Sequence, residues 1–225
     1  MSRNVWYSAG RATIAAYARL MIDLDMSGRE RVPAGCKLII ANHPSTSDPL
    51  YLPLLFPQPI DMLLIDTAFR VPVLSAYLRW AGQVCVVRGD GQAAFAEARR
   101  RLAAGRSVAI FPEGNVSLLD CGTLAPRSGA ARLALLAGVP VVPVGIYLPH
   151  ERIRHIRSAI GRKPLNGHWY LRGPYAMTAG QAIRFDGDVN DAGCVASVSD
   201  AMMERITALA RESENRLTKR SGTPR

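Results

Sequence analysis

A histidine and an aspartate are separated by four residues in the segment Asn42-His43-Pro44-Ser45-Thr46-Ser47-Asp48. The segment follows the apolar run Lys37-Leu38-Ile39-Ile40-Ala41, whose pattern predicts a short buried strand. A neutral imidazole can take a proton from a hydroxyl, and a carboxylate on its other ring nitrogen orients the ring and stabilises the imidazolium. His43 and Asp48 therefore indicate a general base and its orienting partner, on a loop held by a strand end.

The pair alone leaves a structural alternative open. In that alternative, His43 caps the start of a helix and Asp48 bonds to nearby backbone. Pro44 and Ser45 favour a turn that would bring the two side chains together. The sequence has no Gly-x-Ser-x-Gly elbow, so a serine-hydrolase triad has no support. If the dyad is catalytic, the substrate must supply the attacking group.

Two further polar segments follow predicted strands. Phe111-Pro112-Glu113-Gly114-Asn115 comes after the apolar run 107–110, and its backbone amides and carboxylate could hold a polyol substrate. Gly82-Gln83-Val84-Cys85-Val86-Val87-Arg88 ends in an arginine, the natural group for a bidentate phosphate contact. Taken singly, the first could be an ordinary turn and Arg88 a solvated surface residue.

The charge of the chain favours anionic partners. Its 28 Lys and Arg residues against 18 Asp and Glu residues give a formal net charge of +10. Such an excess attracts nucleic acid, an anionic membrane or phosphorylated substrates. Because no nucleic-acid-binding motif is present and aromatic residues make up only 7% of the chain, we expect a membrane or a phosphate and no nucleic acid.

The cysteines and the apolar runs set further expectations. The four cysteines show no Cys-x-x-Cys pair and no metal-ligand spacing, which predicts reduced thiols in a cytosolic setting and no metal or bound cofactor. Cys85 is predicted to be a small core residue. No run reads as a membrane span, and Arg11 and Arg19 interrupt any apolar region of a signal peptide.

Helices and strands alternate along most of the sequence, which predicts a single layered α/β domain with a mostly parallel or mixed sheet flanked by helices. We divide the chain into an N-terminal amphipathic helix (1–30), the main domain (31–217) and a disordered tail (218–225). Strands are predicted at 37–41, 60–65, 83–87, 107–111, 139–146, 168–172 and 183–185. Helices are predicted after Asp48 and at 68–80, 92–104, 128–137 and 195–211.

The N-terminal helix allows two interpretations. Apolar positions such as Tyr7, Ile14 and Tyr17 recur at helical spacing, with Arg11 and Arg19 on another face. The helix could pack on the domain, or it could lie on a membrane surface with Trp6 at the interface. The two interpretations are compatible with each other.

Together these segments resemble the four motifs of the glycerolipid acyltransferases, the family of 1-acylglycerol-3-phosphate acyltransferases. Segment 42–48 resembles the first motif, 82–88 the second, 111–114 the third and Val142-Pro143-Val144-Gly145-Ile146 the fourth. They occur in the order of the family, across roughly residues 25 to 190. Each motif is modest alone, but the ordered set is specific.

The resemblance implies a role for each site residue. His43 would be the general base and Asp48 its partner, while Arg88, Glu113, Gly114 and Asn115 would contact the acceptor. The acceptor hydroxyl would attack an acyl thioester, from acyl-CoA or an acyl-carrier protein. No other cofactor is implied.

The chain departs from the family where the third motif usually continues Thr-Arg-Ser. Here Asn115-Val116-Ser117 follows, so one cation facing the acceptor is lost. The basic pair before the fourth motif is also reduced, to Arg127-Ser128. Both departures leave open an acceptor other than lysophosphatidic acid, such as an ornithine-lipid type of lysolipid.

We therefore expect an O-acyltransferase of phospholipid biosynthesis on the cytoplasmic face of the cell membrane, acting on a lysolipid hydroxyl. A thioesterase or lipid hydrolase using the same dyad with water is the main rival. A non-catalytic lipid-binding module is disfavoured, because His43, Asp48, Arg88 and Glu113 are all retained.

Overall fold

The computed structural model describes residues 3–71, 74–117, 125–160 and 163–222. The strands are β1 (Ile22–Ser27), β2 (Leu38–Ala41), β3 (Ile60–Ile65), β4 (Val84–Val86), β5 (Ser107–Ile110), β6 (Val141–Tyr147), β7 (Arg154–Ile160), β8 (Lys163–Trp169) and β9 (Gly173–Ala179). The helices are α1 (Arg3–Met21), α2 (Asp48–Leu55), α3 (Leu74–Trp80), α4 (Gly91–Ala103), α5 (Gly129–Ala137) and α6 (Ala192–Ser221).

Seven strands form one sheet in the order β1-β9-β6-β2-β5-β3-β4, and β7 and β8 form a separate antiparallel hairpin. The strands from β6 to β4 are all parallel, whereas β9 is antiparallel to β6 and parallel to β1. Parallel neighbours place their carboxyl ends at the same edge. The loops after β2, β4, β5 and β6 therefore leave from one edge, and the predicted mixed α/β fold is confirmed.

Helices cover both faces of this sheet. On one face α1 and α2 bury residues such as Ala18, Tyr51 and Leu52 against β2, β3 and β6. On the other face α4, α5 and α6 bury residues such as Ala98, Leu133 and Met202. The core strand β2 is buried along its whole length, as its continuous apolar sequence predicts for a strand covered on both sides.

The segment 142–146, which resembles the fourth motif, lies in β6 and has a packing role. A Cβ added at Gly145 would lie 2.0 Å from the backbone nitrogen of Ala210 in α6. Only glycine lets the helix backbone approach the strand this closely. This contact fixes β6 beside β2, the strand that carries the histidine.

The N-terminal helix packs on the domain, and two of its three cations, Arg3 and Arg11, contact the domain while Arg19 is exposed. Arg3 forms an ion pair with the buried Asp61 at the start of β3, and Arg11 donates to the Pro53 and Phe56 carbonyls. The Tyr7 hydroxyl accepts from the Ile60 amide. The interpretation of a packed helix is thereby confirmed.

The predicted N-terminal unit 1–30 was wrong in one respect, because a strand follows α1 within it. Ile22, Leu24 and Met26 alternate with Asp23 and Asp25, which is the two-residue period of a strand. Six residues pair in register with β9, so β1 belongs to the main sheet.

The C-terminal third also held errors in the element boundaries. The strands β7 and β9 were missed, the strand predicted at 168–172 covers only the last two residues of β8, and Ile183 makes only an isolated bridge to Val141. Charged and polar residues interrupt the apolar pattern there, which hides strands that are exposed on one side.

The tail predicted at 218–225 was also wrong at its start. Helix α6 continues to Ser221 because Arg216 and Arg220 pair with Asp25 and Asp23 of β1, contacts that a local pattern cannot show. Residues 223–225 lie outside the described part of the chain.

Two local predictions in the region of α3 and β4 need correction. The helix predicted at 68–80 is a short 3-10 turn, Ala68–Arg70, and then α3. Cys85 is exposed rather than buried, because β4 is an edge strand whose alternate side chains face solvent. Cys36 and Cys194 are free thiols, while Cys121 lies outside the described residues.

Candidate active site

The His43 ring and the Asp48 carboxylate are hydrogen-bonded, with 2.8 Å between Nδ1 and Oδ2. His43 follows β2 in the loop, and Asp48 is the first residue of α2. The Asp48 side chain is fully buried, whereas 14% of the His43 side chain is exposed. Since a carboxylate only accepts, it holds the proton on Nδ1 and leaves Nε2 as the proton acceptor.

Two further donors hold the Asp48 carboxylate. The Ser45 amide donates to Oδ2 and the Tyr175 hydroxyl donates to Oδ1, both at 2.8 Å. Burial, followed by the nearby Asp48 carboxylate, raises the pKa of Tyr175 well above its ordinary value, so the hydroxyl stays protonated. The carboxylate is therefore fixed in position, which makes it an orienting group for His43.

Replacing Tyr175 by phenylalanine should remove one donor from a buried carboxylate. We expect a loss of about 1–3 kcal/mol in the free energy of unfolding and a drop in kcat smaller than that caused by changing the dyad. Thermal unfolding and steady-state kinetics would measure both. Tyr51→Phe is the matched control, because its buried hydroxyl bonds to the Tyr170 carbonyl and to Ser47 but not to the Asp48 carboxylate. An equal loss of kcat in both variants would contradict the role of Tyr175.

The turn that carries His43 is held by long-range contacts at both ends. Asn42 exchanges two hydrogen bonds with the backbone of Ile146 in β6, at 2.8 and 2.7 Å. Thr46 does the same with the backbone of His168 in β8, at 2.8 and 2.9 Å. The Ser47 hydroxyl accepts from the Tyr170 amide. The geometry of the dyad thus depends on β6 and on the hairpin.

The loop after β5 meets the histidine directly. The Phe111 ring stacks on the His43 ring, with 4.1 Å between centroids and 12° between planes. The Glu113 carboxylate accepts from the His43 amide at 3.1 Å, and the Ser117 amide donates to the His43 carbonyl at 2.8 Å. The predicted meeting of these two loops is present.

Glu113 and Asn115 occupy different environments in this loop. Glu113 is 3% exposed and its carboxylate contacts backbone of the first loop. It therefore positions His43, and its predicted contact with the acceptor stays a prediction. Asn115 is exposed, and so is Gly114, whose φ of 67° is in the left-handed region that favours glycine.

Arg127 lies over this glycine, which sequence reasoning did not foresee. A Cβ on Gly114 would lie 2.7 Å from Arg127 Nε and 2.9 Å from its Cδ. The Arg127 amide donates to the Pro112 carbonyl at 2.9 Å. Among the described residues, no carboxylate pairs with its guanidinium. A cation therefore stands beside the third-motif turn although Val116 has replaced the arginine of the family pattern.

Arg88 is not brought to the dyad. It follows β4, which is separated from β2 by β5 and β3. Three strand spacings of about 4.8 Å amount to roughly 14 Å. Arg88 is exposed at the same edge of the sheet, so its predicted contact with the acceptor would require a ligand that reaches across two strands.

The site residues missed by the sequence analysis are those whose partners are far apart in the chain. Tyr175 lies 127 positions from Asp48 and sits in β9, a strand that the sequence did not predict. Arg127 was recognised as a remnant of a basic pair but not as part of the site. The distance between Arg127 and Gly114 depends on where the chain lies just before α5 begins.

Chemically, the arrangement can move a proton between a bound hydroxyl and His43 Nε2, with Asp48 stabilising the imidazolium. Within the described ranges, no three His, Cys, Asp or Glu side chains are grouped to hold a metal ion. No helix in the described part of the chain is long and apolar enough to cross a bilayer.

Comparison with known proteins places these motifs in context. The profile of the Acyltransferase family matches residues 23–147, more than half of the chain. Two proteins named 1-acyl-sn-glycerol-3-phosphate acyltransferase are similar to this chain. The one from Borreliella burgdorferi is 30% identical to it over 130 residues, and the one from Saccharomyces cerevisiae is 30% identical over 133 residues. A protein of the same name from Chlamydomonas reinhardtii is 33% identical over 146 residues.

The match to the Borreliella burgdorferi protein covers 56% of this chain and 52% of that relative. The match to the Saccharomyces cerevisiae protein covers 56% and 44%, and the match to the Chlamydomonas reinhardtii protein covers 63% and 41%. The chain thus spans about half the length of the curated relatives it matches. Among solved structures, the 1-acyl-sn-glycerophosphate (LPA) acyltransferase PlsC from Thermotoga maritima superposes with a TM-score of 0.70 at 21% identity. That match covers 93% of this chain and 80% of the other, so the two proteins share a fold.

Proposed function

The chain belongs to the acyltransferase family, and on that premise we propose that it transfers a fatty acyl group from an acyl thioester to the hydroxyl of a lysophospholipid. The proposed acceptor is 1-acylglycerol-3-phosphate, in phospholipid biosynthesis. The observation that carries this proposal is the hydrogen-bonded His43–Asp48 pair with Nε2 as the remaining acceptor. The names of the three curated relatives support the choice of acceptor.

In the proposed reaction, His43 Nε2 takes the proton of the acceptor hydroxyl as its oxygen attacks the thioester carbonyl carbon. The tetrahedral intermediate then collapses, the C–S bond breaks, and the leaving thiolate takes the proton from the imidazolium. Asp48 keeps the Nδ1 proton in place throughout and stabilises the positive ring. No nucleophile from the protein is needed, because the substrate supplies the attacking oxygen.

A direct assay tests this proposal against its rivals. The purified chain would be given one labelled acyl-CoA with lysophosphatidic acid, an ornithine-lipid type of lysolipid, or water alone, and the products read by mass spectrometry. We expect phosphatidic acid as the main product. Free fatty acid as the main product would indicate a thioesterase. Esterification of only the uncharged or zwitterionic lysolipid would refute the assignment of lysophosphatidic acid as the acceptor.

The donor is proposed as acyl-CoA or an acyl-carrier protein, since either presents the same thioester. Replacing acyl-CoA by acyl-carrier protein in this assay identifies which carrier the chain uses. We further propose that the chain acts at the cytoplasmic face of the cell membrane, where acceptor and product partition. The net charge of +10 supports attachment to an anionic leaflet.

The position of Arg127 supports an anionic head group. Its guanidinium lies against Gly114, in the same loop as Glu113, whose carboxylate touches the His43 amide. A phosphate on the acceptor would lie only a few bonds from the hydroxyl that attacks. We propose that Arg127 supplies the contact that the missing arginine at Val116 would otherwise make.

Arg127→Ala should raise the KM for lysophosphatidic acid by about 10–100-fold, the effect of losing one charge-assisted hydrogen bond. The KM for a monoacylglycerol, which has no phosphate, should not change. Arg88→Ala is the matched comparison, because Arg88 is an exposed arginine on the same edge but two strands away from β5. A larger KM effect from Arg88→Ala would place the head group at β4 instead.

A further inference from the structure

The β7–β8 hairpin carries a surface that the acyl-transfer site does not use, and we propose that it docks on an anionic lipid bilayer. This inference rests on the proposed function, because a lysolipid acceptor is presented by a membrane. It goes further by naming the element that makes the contact. The hairpin would bring the bilayer to the loop that holds His43.

The base of the hairpin is tied to that loop. The His168 carbonyl accepts from the Thr46 amide at 2.8 Å and from the Ser45 hydroxyl at 3.0 Å. The amide of Tyr170, the residue directly after β8, donates to the Ser47 hydroxyl at 3.0 Å. A partner bound at the base of the hairpin would therefore lie close to the turn that carries His43 and Asp48.

Beyond its base the hairpin packs little on the rest of the domain. Across the described residues, β7 and β8 pack extensively on each other and at most sparsely on any other helix or strand. Four consecutive residues of β7, from Arg154 to Arg157, are exposed. A two-stranded ribbon is marginal in water unless one side is covered. A surface that covers it would stabilise it.

The composition of the hairpin indicates which surface. Residues 151–169 contain one acidic residue, Glu151, against five basic ones: Arg152, Arg154, Arg157, Arg162 and Lys163. Arginines close to an anionic leaflet are attracted to its lipid phosphates over about a Debye length. The sign of the charge therefore matches an anionic partner.

Apolar groups lie beside Arg154 on one face of the ribbon. The register pairs Arg154 with Trp169 and Ile156 with Gly167, and alternate pairs share a face, so Arg157, opposite Asn166, lies on the other face. The Trp169 indole lies over Gly167, since a Cβ there would come 2.2 Å from Trp169 Nε1. Ile156 is 43% exposed beside it. Tryptophan, isoleucine and arginine together suit the boundary between head groups and acyl chains.

The end of α1 continues this surface. The Tyr17 hydroxyl donates to the carbonyl of Leu171, two residues beyond Trp169, at 2.5 Å. Leu171 is 39% exposed, and Leu20, one helical turn from Tyr17, is 81% exposed. Trp6 lies near the other end of a helix about 28 Å long, and its ring contacts the Trp80 ring at a tilt of 31°. The lipid contact is therefore assigned to the hairpin and the last turn of α1, not to Trp6.

An acidic acyl-carrier protein would be drawn to the same cations. The observations favour the bilayer, because Trp169 and Ile156 accompany Arg154 on one face of a ribbon that other described elements cover at most sparsely. An interface with a carrier protein would depend mainly on the charges. The salt dependence of binding and the effect of replacing an apolar residue of the hairpin therefore distinguish a bilayer from a carrier protein.

The test measures sedimentation of the full chain with vesicles of phosphatidylcholine alone or mixed with phosphatidylglycerol. Arg154→Gln/Arg157→Gln should lower the partition coefficient on the mixed vesicles by about fivefold or more, because Arg154 lies on the face that carries Trp169 while Arg157 lies on the other face. Arg99→Gln/Arg205→Gln is the matched control, since it removes the same charge from exposed positions on α4 and α6, the opposite face of the sheet. The control should bind like the parent chain.

A spectroscopic readout reports on the apolar part of the contact. In a Trp6→Phe/Trp80→Phe background, Trp169 is the only remaining tryptophan. Its emission should shift to the blue on mixed vesicles and be quenched by lipids brominated in the upper acyl chain. Ile156→Ser should weaken the binding that persists at high salt.

Three results would overturn the inference: equal vesicle binding by the hairpin and control variants, no change in Trp169 emission, or a hairpin variant that keeps vesicle binding but loses turnover only with acyl-carrier protein as donor. The last result would assign the hairpin to the carrier. Failure of the proposed function would look different, since no ester would form from any acceptor even when the parent chain binds vesicles normally.

Discussion

His43→Ala is expected to lower kcat for acyl transfer by about 10²–10⁴, the range that a positioned general base contributes. The Nε2 atom is the only ring nitrogen left to receive the proton of the acceptor, because Nδ1 is bonded to Asp48. Without it, the hydroxyl must attack while still protonated. Steady-state rates with acyl-CoA and lysophosphatidic acid would measure the loss, and KM should change little, since the ring acts mainly in the transition state.

The structure also indicates how to exclude a trivial loss of fold. The His43 side chain is partly exposed and stacks on Phe111, so its removal should leave the thermal midpoint within a few degrees of the parent. His150→Ala is a control for removing a histidine outside the dyad. A purified, folded His43→Ala variant with near-parental turnover would refute the assignment of the base.

Asp48→Asn is expected to have the second-largest effect, a drop in kcat of about 10²–10³ with the fold retained. An asparagine of the same shape keeps its amide oxygen at the position where His43 Nδ1 and the Ser45 amide both donate, and turns its NH₂ group to the Tyr175 hydroxyl, which can accept. It removes the negative charge that stabilises the imidazolium. The loss should be in kcat, measured with the same two substrates.

Asp48→Ala is the informative comparison, because it leaves the Ser45 amide and the Tyr175 hydroxyl without their shared acceptor. It should cost stability as well as rate, whereas Asp48→Asn should mainly cost rate. The double variant His43→Ala/Asp48→Asn should be no slower than His43→Ala alone, because the two residues act as a unit. Additive losses would mean that Asp48 acts by some route other than through His43.

Much of the fold followed from local pattern. Short apolar runs bounded by polar turns predicted β2, β3, β5 and β6, and the cap at Asp90 with Gly105 bounded α4. These signals are local, because a buried strand or an amphipathic helix shows its period in its own residues. The strand β1 and the hairpin were missed where acidic or basic residues interrupt that period.

In the candidate site, too, local features could be predicted from the sequence and long-range contacts could not. His43 and Asp48 are five positions apart, so the turn between them could be anticipated from Pro44 and Ser45. The contact between Glu113 and the His43 amide could be anticipated only in outline, from two loops at strand ends. Tyr175 could not be anticipated, since its hydroxyl reaches Asp48 from a strand 127 residues away.

The sequence by itself determined the reacting groups and their order, because the dyad and its turn lie within seven residues and the motifs follow one another along the chain. Only the tertiary structure decided which of the remaining groups reach them. It placed Arg127 on Gly114, Phe111 on the imidazole and the hairpin on the turn, and it left Arg88 at the sheet edge. The physical reason is that strand order and long-range hydrogen bonds set these distances, and neither is written in the local pattern of residues.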